Sequence, residues 1–210
     1  MMGGALGLRR TADEREFREL SEGKWIGREI FWLEECGSTN DVARELAREG
    51  RAGGTIVAAG RQTAGRGRKG DVWHSPMGQG LWCSFLLYPR IDAAAAPGAT
   101  LVMARSLVAC LRERLGLACA IKEPNDVLFE GRKLAGILAE SATVGNSPRL
   151  EFLVMGIGVN ISTQFPAPIE EWAANLAQLV QAARLPSPAR LLAWLAVEFE
   201  RQWEKFDPRS

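Results

Sequence analysis

Between residues 60 and 71 the segment GRQTAGRGRKGD sets Arg61, Arg66, Arg68 and Lys69 among Gly60, Gly65, Gly67 and Gly70. Guanidinium groups and glycine amides that converge in this way can hold an anion, and a phosphate is the natural one. A solvated basic loop, as in RNA-binding tails, has the same composition, so the segment alone leaves both readings open. Two further segments, IKEPNDVLFEGRKLAGILAES and GIGVNI, put Lys122, Asn125, Asp126, Lys133 and Asn160 at strand ends, where polar groups can face a pocket. Lys133 leads into the apolar run LAGIL, so its ammonium stands where a polar turn meets the core. That place is costly unless a carboxylate or phosphate neutralises the charge. The alternative is a surface lysine that snorkels to water.

GSTN, then GRQTAGRGRKG followed by Trp73 and Ser75-Pro76, then KEPNDV, RKLAGIL and GIGVNI occur in one order along the chain. In that order, over about residues 27 to 206, they resemble the catalytic domain of biotin-protein ligases. The resemblance implies an enzyme that uses ATP and Mg²⁺ to activate biotin as biotinyl-5'-AMP. It then passes the biotinyl group to a lysine of a biotin carboxyl carrier protein. It also implies that Ser38, Thr39, Asn40 and Gln62 hold the biotin head, and that Arg66, Gly67 and Arg68 belong to a loop that orders over biotinyl-adenylate. Lys133, with Arg68, is implied as the catalytic cation. Trp73, Lys122, Asn125, Asp126, Gly136 and Asn160 complete the implied binding set, with Asp126 the candidate for helping to place the metal.

Such a reaction needs positive charge while a carboxylate attacks the α-phosphorus and pyrophosphate leaves. The transfer step needs a neutral lysine and a closed loop that keeps water from the mixed anhydride, and a glycine-rich loop suits that gating. One motif departs from the family pattern: Lys-Trp-Pro-Asn-Asp is here Lys122-Glu123-Pro124-Asn125-Asp126. Strand alternation puts Glu123 on the face of Ile121, opposite Lys122 and away from ATP.

The elements that must position these residues follow from pattern. Thr11 with Glu14 matches a capping box and predicts a short helix over 12–20. Residues 27–33 read as a strand before GSTND, where Ser38, Thr39 or Asn40 can cap a helix bearing Val42, Ala43, Leu46 and Ala47. Residues 55–59 read as a strand entering the basic segment, which has no periodicity and is expected to be a mobile loop. A strand over 81–88 and a helix over 99–115 follow, the helix covering the sheet with Leu107, Leu111 and Leu115. Then come a strand at 118–122, a hairpin from 127–129 through Glu130-Gly131-Arg132 to 133–141, and a strand at 150–161. From Pro188 a helix is expected, with Leu192, Leu195, Phe199, Trp203 and Phe206 at steps of three or four, and Pro186 with Pro188 separating it from a preceding one. The expected fold is α+β: a mixed, largely antiparallel sheet flanked by helices, which the resemblance identifies with class II biotin/lipoate ligases.

Composition narrows the class further. At 210 residues, 47% hydrophobic, the chain fits one domain with a sizeable core. Its 26 Lys and Arg against 25 Asp and Glu are too balanced for non-specific nucleic-acid binding, so no DNA partner is expected. No apolar run is expected to reach membrane-span length, no secretory core is recognisable, and four scattered cysteines fit free thiols, so the expected location is the cytoplasm. Residues 1–26 read as an extension with a short helix and 27–210 as the catalytic domain. No DNA-binding module is expected before Ser38 and no C-terminal β-barrel after the last helix; a homodimer stays open. Two rivals remain: a lipoate or octanoate ligase or transferase, and a non-catalytic binding module for biotin or nucleic acid.

Overall fold

A computed structural model describes residues 11–207; the first ten residues of the expected extension and the last three of the chain lie outside the described residues. The elements are α1 (Ala12–Leu20), β1 (Ile30–Cys36), α2 (Thr39–Arg48), β2 (Ile56–Gln62), β3 (Gly80–Leu87), α3 (Ala96–Leu115), β4 (Ala120–Lys122), β5 (Asp126–Phe129), β6 (Arg132–Thr143), β7 (Leu150–Asn160) and α4 (Pro188–Phe206). The strands form one sheet in the order β1-β2-β3-β7-β6-β5-β4. Among the described strands only β1 and β2 pair in parallel, because α2 carries the chain back between them. All other neighbours are antiparallel.

Side-chain alternation divides the sheet into two unlike faces. Ile56, Ala58, Phe85, Leu87, Leu153 and Met155 point to the main core, where α3 and α4 bring Met103, Leu107, Leu111, Leu192, Leu195 and Phe199. On the other face Val57, Leu86, Phe152 and Val154 pack under Ala43, Leu46 and Ala47 of α2. α2 is only 10 residues long, so it covers part of that face. Beyond its end, over β6 and β7, the strands carry Gly136, Gly156 and Gly158 in place of apolar side chains. The site lies there.

Most expected elements are present, with shifted ends. The capping box is made: Thr11 Oγ1 accepts the Glu14 N–H at 3.0 Å. The described part of the expected extension is packed, since Phe17 is fully buried and the Glu200 carboxylate of α4 accepts the backbone N–H groups of Lys24, Trp25 and Ile26 at 2.9 Å each. β1 begins three residues later than expected because Gly27, at φ +80°, turns the chain and donates to Gly54 O at 2.8 Å. Its polar end, Glu34 to Cys36, is held by ladder bonds to β2 that hydropathy does not signal. The β5–β6 hairpin closes through Glu130 and Gly131, both at positive φ as a tight two-residue turn requires.

Two expectations are corrected. No α-helix lies between β7 and Pro186: the chain there makes three short 3₁₀ turns instead. Side chains rather than a helical ladder satisfy its backbone, as Asn175 accepts Gln178 N–H at 3.0 Å and donates to Thr163 O at 2.9 Å. The second correction concerns apolar length: residues 93–115, spanning α3, are long and apolar enough to cross a membrane by length and composition. Half of its most apolar 18 residues is buried, and Met103, Leu107 and Leu111 pack in the main core, as expected of a core helix.

Candidate active site

A cavity of about 570 Å³ opens over the glycine-bearing part of the sheet, within the usual range for small-molecule sites. Its floor is flat for a steric reason. A methyl group at Gly158 would collide with the Trp73 indole, and one at Gly136 would stand 2.8 Å from the same ring. A methyl at Gly156 would collide with the Asn40 amide. The glycines therefore let an aromatic ring and an amide lie directly on the strands.

At the inner end, Ser38 occupies the N-cap position of α2 without a side-chain cap bond, leaving its hydroxyl free of that duty. Thr39 gives both its N–H (2.9 Å) and its hydroxyl (3.1 Å) to Gln62 Oε1. Gln62 donates in turn to Ser75 Oγ at 3.0 Å. Ser84 Oγ, from β3, lies 2.7 Å from Thr39 Oγ1 and 2.6 Å from Asn40 Oδ1, while Asn40 Nδ2 donates to Glu140 at 2.6 Å. Ser38, Thr39, Asn40 and Ser84 are all under 5% exposed, so this is a buried, pre-ordered polar cluster suited to a compact ligand head with its own donors and acceptors.

At the outer end, Lys133 Nζ stands 2.8 Å from Asp126 Oδ1 and 5.2 Å from the centre of the Trp73 ring. A carboxylate and a π-face thus offset the cost of holding the ammonium at the core boundary. Asp126 Oδ1 is buried, and the Lys133 ammonium is its polar contact. The glycine-rich loop folds over the cavity: Gly67 N–H reaches Asp71 O at 2.7 Å, and Trp73 N–H reaches Gly65 O at 3.0 Å. Arg66 is held by carboxylates from below, at 2.7 and 2.8 Å to Asp41 and 3.3 Å to Glu140. These contacts keep the Asp41 carboxyl below its ordinary range, chiefly through the Arg66 hydrogen bonds. Arg68 instead donates to Asn125 Oδ1 at 3.1 Å.

Of the residues singled out from sequence, Ser38, Thr39, Asn40, Gln62, Arg66, Gly67, Arg68, Trp73, Asn125, Asp126, Lys133 and Gly136 line this one cavity. Lys122 and Asn160 do not. Lys122 is exposed at the end of β4, and Glu123 beside it is exposed as well. Asn160 is 4% exposed and spends its amide on the backbone, donating to Lys133 O at 3.4 Å and Ala174 O at 3.1 Å. It pins the segment after β7 rather than facing the cavity. Sequence reasoning overlooked Asp41, Ser84, Glu140, Gly156, Gly158 and Trp172, the last a half-exposed wall of the mouth. The alternate glycines of GIGVN and the two-residue spacing of Gly136, Leu138 and Glu140 were available signals of one shared face.

A sheet that leaves a glycine floor bare beside its one parallel crossover, with a basic glycine-rich loop above it, defines an acyl-ligase type of site. Residues 33–160 match the model of the biotin/lipoate A/B protein ligase family, and the chain belongs to that family. It is 38% identical over 183 residues to a biotin--[acetyl-CoA-carboxylase] ligase of Paracoccus denitrificans, covering 83% of this chain and 73% of that one. It is 37% identical over 168 residues to the bifunctional ligase/repressor BirA of Bacillus subtilis, and there the chain spans about half (51%) of the relative's length. Among solved structures it resembles the biotin protein ligase of Aquifex aeolicus in complex with biotin and ATP, at TM-score 0.71 and 28% identity over 87% of this chain and 73% of that one. The Leishmania major ligase in complex with biotinyl-5-AMP aligns at TM-score 0.69 and 28% identity, over 85% and 76%.

Proposed function

We propose that the chain joins biotin to ATP as biotinyl-5'-AMP, releasing pyrophosphate, and then transfers the biotinyl group to a lysine of a biotin carboxyl carrier protein. The observation that carries this reading is the union of two unlike ends in one cavity. A buried amide and hydroxyl cluster at Ser38, Thr39, Asn40 and Gln62 suits the ureido ring of biotin. Arg68, Lys69 and Lys133 at the other end suit phosphate. The ligands named for the Aquifex and Leishmania proteins, biotin with ATP and biotinyl-5-AMP, carry both kinds of group.

In this reading the carboxylate of biotin comes to rest near Lys133, whose charge opposes the repulsion between carboxylate and triphosphate and stabilises the charge that builds at the α-phosphate. Arg68 closes from the loop side, and the loop excludes water from the mixed anhydride until the carrier lysine arrives. Mg²⁺ fits the residues present, because it keeps most of its oxygen ligands from water and phosphates and needs few from protein. Asp126, whose carboxylate stands in this cavity paired with the Lys133 ammonium, is the residue that would help hold it. Bound there, the metal would supply further neutralisation of the phosphate charge.

The partner we infer is a protein rather than DNA, in keeping with a net charge of +1 and with Arg66, Arg68, Lys69 and Lys133 lining one cavity; a homodimer is compatible with this reading. Four free cysteines favour a cytoplasmic location. Calorimetry with biotin, lipoate and a short RNA tests the assignment. Biotin should bind with a favourable signal that the other two lack; lipoate binding more tightly than biotin would move the site to the other branch of the family.

A further inference from the structure

The two arginines of the basic loop face different chemistry, although sequence groups them. Arg66 Nη1 and Nη2 grip the two Asp41 oxygens at 2.7 and 2.8 Å, and Nη2 also meets Glu140 Oε2 at 3.3 Å. Arg44 completes a ring of alternating charge, contacting Asp41 and lying 3.7 Å from Glu140. Two arginines and two carboxylates leave this quartet neutral. A guanidinium held bidentately by one carboxylate and touched by a second has little left to offer a phosphate. Arg68 has no carboxylate partner among the described residues and reaches only the neutral amide of Asn125.

We propose that Asp41 and Glu140 are positioning residues of the ligase reaction. They take Arg66 out of phosphate binding and make it the anchor by which the loop is fastened to α2 and β6, leaving Arg68 as the loop guanidinium that meets the ligand. Glu140 is the joint of the device, because the oxygen that receives Arg66 also accepts the Asn40 amide at 2.6 Å. Asn40 belongs to the buried cluster that suits the biotin head. A ligand that fixes Asn40 therefore fixes Glu140 and, through it, the loop. This inference rests on the reading of the cavity as a biotin adenylation site, but the loop fastening is a contact of the chain with itself and is tested separately.

The test uses Asp41→Asn, Glu140→Gln, Arg66→Ala and the double variant Asp41→Asn/Arg66→Ala. The three sites are partly exposed or the changes near-isosteric, and melting temperatures check that each of the four variants folds. The first readout is amide hydrogen exchange of the loop peptide spanning 63–73 in the ligand-free protein. Each single variant should speed exchange about three- to tenfold, the scale of a partly exposed ion-pair network. The second is the retention time of biotinyl-AMP made in place, which should shorten by a similar factor, with the double variant no worse than Arg66→Ala alone. Loop exchange unchanged in Asp41→Asn and Glu140→Gln would overturn the proposal. So would an Arg66→Ala loss that far exceeds both and adds to Asp41→Asn, as a direct phosphate contact would give. If the wild-type chain made no biotinyl-AMP, the functional reading would fall, while the exchange readout would still decide the fastening.

Discussion

Arg66 and Arg68 stand two positions apart and take opposite partners, a pair of carboxylates for one and a neutral amide for the other. The composition of GRGRKG told that the segment was basic but could not tell which charge was already spent. That depends on Asp41 and Glu140, remote in sequence. Arg68→Ala should leave biotin affinity alone nearly unchanged and shorten biotinyl-AMP retention about ten- to a hundredfold, since charge-assisted contacts of this kind contribute roughly 1.5 to 3 kcal/mol. Equal losses for biotin and adenylate, measured by calorimetry and filter retention, would reject the role. The fastening of Arg66 also has a pH signature. Asp41 titrates below its ordinary 3.8 in the folded chain, so its contribution is complete above the unfolded value and fades only as pH falls through the folded one. The Gly67 amide resonance should therefore hold still from roughly pH 5 to 8 and move only in more acid solution. Lys133→Met keeps the stem and removes the charge; adenylation should fall by about two to three orders of magnitude while the fold survives. A variant with half of wild-type adenylation would take Lys133 out of the chemistry.

Among the elements, those with a strong period were the legible ones. α1, α3, α4, β3, β7 and the β5–β6 hairpin stand within a few residues of where apolar spacing, the capping box and the expected Glu130-Gly131-Arg132 turn put them, although Arg132 opens β6 and β2 runs on through Gln62 into the segment expected as loop. β1 slid because its last residues are polar and owe their extended form to pairing with β2. The stretch between β7 and α4 was unreadable, since it is organised by Asn160, Thr163 and Asn175 bonding to backbone. The glycine floor belongs to this scale, because it is a property of neighbouring strands: Gly136 pairs with Gly158, and Leu138 with Gly156. Gly156→Ala would press on the Asn40 amide and break its bonds to Ser84 and Glu140. It should lower biotin affinity at least tenfold and cost about 1 to 3 kcal/mol of stability, as overpacking at a tight contact does. Calorimetry and denaturant titration read the two effects separately; unchanged biotin affinity in a folded variant would remove the floor from ligand binding.

The main core and the candidate site lie on opposite faces of one sheet, with the smaller core under α2 beside the site. Phe199 sits fully buried with its ring 5.3 Å from Phe85 and 5.4 Å from Trp203, joining α4 to β3 behind the cavity. Phe199→Ala should cost about 3 to 5 kcal/mol in denaturant titration. The fraction that stays folded should retain biotin affinity. The mixed sheet with flanking helices followed from periodicity, and the order of the motifs pointed to the family. The division of the two faces followed from neither, because α2 is too short to cover its side and only three dimensions reveal what lies beyond its end. The most direct test of the functional reading is to mix the purified chain with biotin and Mg·ATP and follow pyrophosphate and biotinyl-AMP together. Biotin-dependent pyrophosphate release in step with biotinyl-AMP, abolished when biotin is omitted, is the predicted result. Pyrophosphate release that stays at the biotin-free background would contradict it.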